Sequence, residues 1–165
     1  MRRNHSLFTV LAASWVLLLL SNPANVAAAE RPSFARVDKH YTRDRHECPD
    51  IASSPNQYAV RLSRALIGAG IEMDSDYKGN LCRHGYARGA QDLAAFLRKK
   101  WGARDYGFES PDAVPSVLNG KKGVIVFMNI PGFSGQGHID LWDGGKTRTG
   151  AYWNASPIWF WRLPD

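Results

Sequence analysis

The chain has 165 residues, 44% hydrophobic and 12% aromatic, which fits one domain with a sizeable core. Its 21 lysines and arginines against 15 acids give a mild net charge of +6. Past Arg2 and Arg3 they are scattered from Arg31 to Arg162 without a dense stripe, so no nucleic-acid partner is expected and an anionic envelope polymer suits the charge better.

Arg2, Arg3 and His5 precede an apolar run from Leu7 to Leu20, and Ala27-Ala28-Ala29 offers the small side chains that a signal peptidase accepts. Spanning a membrane takes roughly 20 apolar residues, and Ser21, Asn22, Pro23 and Asn25 close the run before that length. Residues 1–29 therefore read as a cleavable signal peptide, with the mature chain starting at Glu30. The protein is expected to be exported to a periplasmic or extracellular space, with no stable membrane insertion after cleavage. Without Arg2 and Arg3, 19 basic side chains face 15 acidic ones, a net charge of +4.

Residues 30–54 are polar and turn-prone, with Pro32 and Pro49, and read as an extended arm. This arm carries Cys48; the other cysteine is Cys82. In an oxidising compartment two cysteines most often pair, so a Cys48–Cys82 disulfide is expected, the alternative being a reactive thiol. Next comes the first strong helix signal. Ser54 suits a cap and Pro55 a first turn, and Tyr58, Leu62, Ala65, Leu66 and Ala69 share one face before Gly70.

Residues 71–88 read as a loop, and Ala90–Trp101 resumes the helical period through Leu93, Phe96, Leu97 and Trp101 until Gly102 ends it. Another loop, containing Pro111, Pro115 and Gly120, leads to the continuous apolar run Val124–Met128, a buried strand. After the glycine-rich turn 131–137, Ile139 and Leu141 alternate with His138, Asp140 and Trp142, which predicts a strand with one buried face and His138 and Asp140 on the other. Asp143-Gly144-Gly145 is a turn and Ile158–Leu163 a last aromatic strand. Helices first and strands last predict an α+β domain.

His138 beside Asp140, after a flexible turn, is the best-placed candidate base. The alternative is a core histidine satisfied by its neighbours. No metal or cofactor is expected: His40, His46, His84 and His138 lack ligand spacing, and the cysteines form no CxxC.

The segment Tyr58-Ala59-Val60-Arg61-Leu62-Ser63-Arg64-Ala65-Leu66, followed by Gly70, resembles a helix of the type VI secretion amidase effectors of the fourth class. Gly137-His138-Ile139-Asp140-Leu141-Trp142-Asp143-Gly144 resembles the strand carrying that family's histidine, and Tyr152-Trp153 with Trp159–Leu163 resembles its closing segment. The likeness covers roughly residues 55–163 and makes 55–165 an amidase-like domain. It implies a papain-like fold, N-terminal helices on a C-terminal antiparallel sheet, that cuts amide bonds in peptidoglycan stem peptides with a cysteine activated by histidine. His138 is then the base, with Asp140 beside it, and Arg61 and Trp142 are expected to meet substrate.

Two positions depart from the family's pattern. Tyr58 stands where the nucleophilic cysteine opens the helix, and a phenol, with an ordinary pKa of about 10, is a poor nucleophile toward an amide. The family's acid after the histidine is also missing, because residues 144–150 contain none. The expected function is thus an exported, amidase-like envelope protein with impaired or lost cutting and a retained peptidoglycan-binding groove. The alternative is an active amidase using Cys48 with His138. The leader favours a resident or generally secreted relative over an injected effector.

Overall fold

The computed structural model describes residues 30–42, 48–51, 57–109 and 114–165. The leader, Ser54 and Pro55 lie outside them. Four α-helices, a 3-10 turn (Pro49–Ile51) and four strands are described: α1 (Phe34–His40), α2 (Tyr58–Gly68), α3 (Ala90–Trp101), β1 (Tyr106–Phe108), α4 (Val114–Leu118), β2 (Gly123–Phe127), β3 (His138–Trp142) and β4 (Ile158–Arg162). The strands form one antiparallel sheet in the order β1-β4-β2-β3. Among the described residues no helix is long and apolar enough to cross a membrane.

The sheet is covered on both faces. Val124, Val126, Ile139, Leu141 and Trp161 face α2 and α3, whose Leu62, Leu66, Leu93, Phe96 and Leu97 close the larger core. Ile125, Phe127, Ile158, Phe160 and Trp142 point the other way and pack with Val114 and Leu118 of α4. Period-2 alternation thus feeds two cores, and β3 buries all five of its residues. His138 and Asp140 are accordingly fully buried, although alternation alone predicted an open face for them.

Part of the expected arm is not extended. Ser33 accepts a hydrogen bond from the Arg36 N–H and starts α1, which buries Phe34 and Val37. Phe34 donates its N–H to the Pro164 carbonyl at 2.7 Å, and Arg31 pairs with Asp105 and donates to the Arg162 carbonyl. A helix this short does not stand alone, so it is these contacts with the C-terminal end of the chain that hold it. Farther along the same segment, Cys48 is bonded to Cys82, with Cα atoms 6.1 Å apart, inside a small cluster with Val60 of α2.

Two short elements, β1 and α4, lie where the sequence predicted only loop. α3 ends at Gly102, whose φ of +78° suits the missing side chain. Before β3 stands Gly137, φ +82°, where a Cβ would run into the Phe127 carbonyl. That close approach sets the entry of the chain into His138.

Candidate active site

Three parts of the chain meet around His138: the start of α2, strand β3, and the segment 149–152. Tyr58 is the first residue of α2, and its ring meets the His138 ring edge-on with centroids 4.0 Å apart. Tyr152 lies 5.0 Å from His138 and Phe127 5.9 Å. Burial first, then the neighbouring Tyr58 hydroxyl, push the Tyr152 phenol up. His138 is therefore sealed beneath aromatic rings, not set across an open groove from Tyr58.

The two imidazole nitrogens differ. Nε2 lies 3.3 Å from Thr149 Oγ1 and 3.5 Å from Asp140 Oδ2. Thr149 Oγ1 spends its own proton on Asp140 Oδ2 at 2.8 Å, so toward the ring it acts as an acceptor for a proton on Nε2. Nδ1 is buried without a partner. An unsatisfied buried polar atom costs about 1–3 kcal/mol, so this nitrogen is aimed and unused.

Asp140 is the best-satisfied group in the site. It accepts from Tyr41 Oη at 2.6 Å, the Thr149 N–H at 2.7 Å, Thr149 Oγ1, and the Leu141 N–H at 2.8 Å. Burial pushes its carboxyl up, but the bonds from His138, Tyr41 and Thr149 outweigh that and hold it below the ordinary carboxylate range. A lowered folded value means that the folded state binds fewer protons than the unfolded chain, whose Asp titrates near 3.9. This stabilisation is complete above about pH 4 and is lost as pH falls through the folded value. Asp140→Asn is therefore expected to lower stability at pH 6 and to narrow the gap between urea midpoints at pH 6 and pH 3. An unchanged gap would assign the acid sensitivity elsewhere.

A cleft of about 300 Å³ opens in front of Tyr58. Its walls are the start of α3, with Gly89 and Asp92, the loop residues Asn80 and Arg88, and the turn residues Phe133, Gln136 and Gly137. Gln136 latches the walls together by donating to Asp92 Oδ2 at 2.9 Å and accepting the Asp92 N–H at 3.2 Å. Tyr58 forms part of the lining and closes the cleft off from His138.

The remaining candidates are placed differently. Trp142, expected to meet substrate, is 2% exposed and donates Nε1 to the Leu118 carbonyl at 3.1 Å, because the second core layer covers its face. Arg61 is buried on α2 with its guanidinium 6.0 Å from the Tyr58 ring, so it too presents no free surface to substrate. Cys48 is fully buried and its sulfur is taken by Cys82, so it has no thiol to offer His138. Among the described residues the one group spaced to hold a metal, Cys48, Asp50 and Cys82, includes that same disulfide. Sequence reasoning missed Thr149 and Tyr41, and it set Tyr152 in the closing segment without linking it to His138. Thr149 lies in the very turn noted for its missing acid, which was the available signal.

The sequence model of the family described as type VI secretion system (T6SS), amidase effector protein 4, Tae4, matches residues 55–161. No curated protein matches this chain. Among solved structures, the fold is similar to the type VI effector Tae4 from Enterobacter cloacae, at a TM-score of 0.62 and 22% identity over 82% of this chain and 99% of that one. It is similar also to Tae4 in the effector–immunity complex Tae4-Tai4 from Salmonella Typhimurium, at 0.64 and 23% over 82% and 100%. Tae4 from Salmonella typhimurium in complex with the immunity protein Tai4 from Enterobacter cloacae gives 0.59 and 22% over 81% and 100%.

Proposed function

This chain belongs to the type VI secretion amidase effector 4 family, and from that premise we propose that it is an exported envelope protein that binds peptidoglycan and has lost the ability to cut it. One observation carries the reading. The Tyr58 ring rests on His138 at 4.0 Å, at the helix start from which an amidase of this kind would present its thiol.

The chemistry follows from that contact. A cysteine at a helix start is activated twice, by the helix N-terminus and by an imidazole that takes its proton. A phenol there offers no competent nucleophile and leaves no room for a substrate carbonyl beside the His138 ring. Cys48 supplies no replacement, since it is held by Cys82. What remains is the cleft, with Arg88 and Asp92 of opposite charge and the amide side chains of Asn80 and Gln136, groups suited to a short peptide bearing both carboxylate and amine. The disulfide supports an oxidising compartment and so agrees with export.

Binding without cutting is tested by sedimentation. The mature protein is expected to pellet with purified peptidoglycan, and Arg88→Glu to weaken that pelleting at equal salt. A protein that stays in the supernatant at low salt would overturn the retained groove.

A further inference from the structure

The part of the site that holds Asp140 reaches outside the matched family segment. Tyr41 closes α1, 14 residues before that segment begins at residue 55, and still donates its hydroxyl to Asp140 Oδ1 at 2.6 Å across 99 residues of sequence. A second tie runs beside the first. Arg148, the neighbour of Thr149, donates Nε to Asp38 of α1 at 2.9 Å and also bonds Asp143 at 3.3 Å. α1 thus grips both the carboxylate and the turn that orients it.

We propose that Tyr41 is a positioning residue that fixes Asp140 and, through it, the Nε2 side of His138, making α1 a working part of the site. The proposal rests on reading His138 as a retained base position, still oriented by Asp140 although cutting is lost. Its geometry is a relay of fixed contacts. Tyr41 and the Leu141 N–H hold Oδ1, which leaves Oδ2 turned toward Thr149 and His138 Nε2. Without the Tyr41 bond, Oδ1 keeps only the adjacent backbone donor, and the orientation of the carboxylate toward the ring rests on the Thr149 bonds to Oδ2 alone. Burial, then the nearby Asp140 charge, push the Tyr41 phenol far up, which keeps it a neutral donor at every working pH.

The test is nitrogen–proton NMR on the wild-type mature protein and Tyr41→Phe, with the His138 ring assigned by His138→Gln. The wild type is expected to show a single tautomer with the proton on Nε2, exchanging slowly with water. In Tyr41→Phe that proton is expected to exchange about tenfold faster, the scale of one lost hydrogen bond to a charged group. The backbone amides of Val124 and Val126 in the central strand should keep their protection, which a merely structural role would not predict. Equal exchange in both proteins overturns the proposal. The wild type alone gives a second readout, a slowly exchanging Tyr41 hydroxyl proton, and its absence likewise overturns the proposal even if the variant does not fold. Neither signal depends on peptidoglycan, so failure of the binding experiment and failure here are distinguishable.

Discussion

Tyr58→Cys is expected to give a thiol that titrates clearly below the ordinary 8.5 and, with it, release of cut stem peptides from peptidoglycan where the wild type releases none. The reasoning starts at α2. Gln57, its N-cap, makes no side-chain capping bond, and the positive end of the helix favours a thiolate placed there. Removing the ring also opens the cleft toward the buried His138 ring, whose Nδ1 has no partner. A base already oriented through Nε2 is worth about 10²–10⁴ in rate, and Tyr58→Cys with His138→Ala should lose that factor. Alkylation by iodoacetamide across pH reads the thiol. A thiol titrating near 8.5 with no peptide release would mean that α2 and β3 are not aligned for chemistry.

The second large effect is on stability. Cys48→Ala is expected to cost about 3–4 kcal/mol, because the bond to Cys82 closes a 34-residue loop whose entropy the unfolded chain would regain. Against a total of about 5–15 kcal/mol for a domain, that is a large share. The loss should fall first on the start of α2, since Cys48 and Cys82 pack on Val60 and the loop contains Tyr58. Urea unfolding of wild type and variant, each without reductant, measures it. A difference under about 1 kcal/mol would show that the closed loop is already ordered by its packing.

How much of this was legible in the sequence depends on element length and on contact distance along the chain. α3 and β3 begin and end where periodicity and alternation put them, because each is long or regular enough for its pattern to outweigh accident. α1, β1 and α4 are seven, three and five residues long, and tertiary contacts such as Phe34 with Pro164 make them. The apolar face marks helix α2, but its first residue is Tyr58 and its N-cap Gln57, not Ser54.

The site divides in the same way. The Tyr58–His138 pairing followed from two motifs. The bond from Tyr41 to Asp140 did not, since nothing in a tyrosine after a short polar helix announces a partner 99 residues away. Trp142 shows the opposite failure. Alternation rightly set it beside His138 and Asp140, but a second core layer turned that face inward, so an aromatic expected at substrate became structural.

The account turns on whether the ring of Tyr58 stops chemistry, and mass spectrometry of the soluble fraction after incubating wild-type mature protein with purified peptidoglycan reads that directly. The expected result is a muropeptide profile identical to that of buffer alone, while Tyr58→Cys at the same concentration yields shortened stem peptides with new amine and carboxyl ends. Shortened stem peptides released by the wild type, and abolished by His138→Ala, would contradict it.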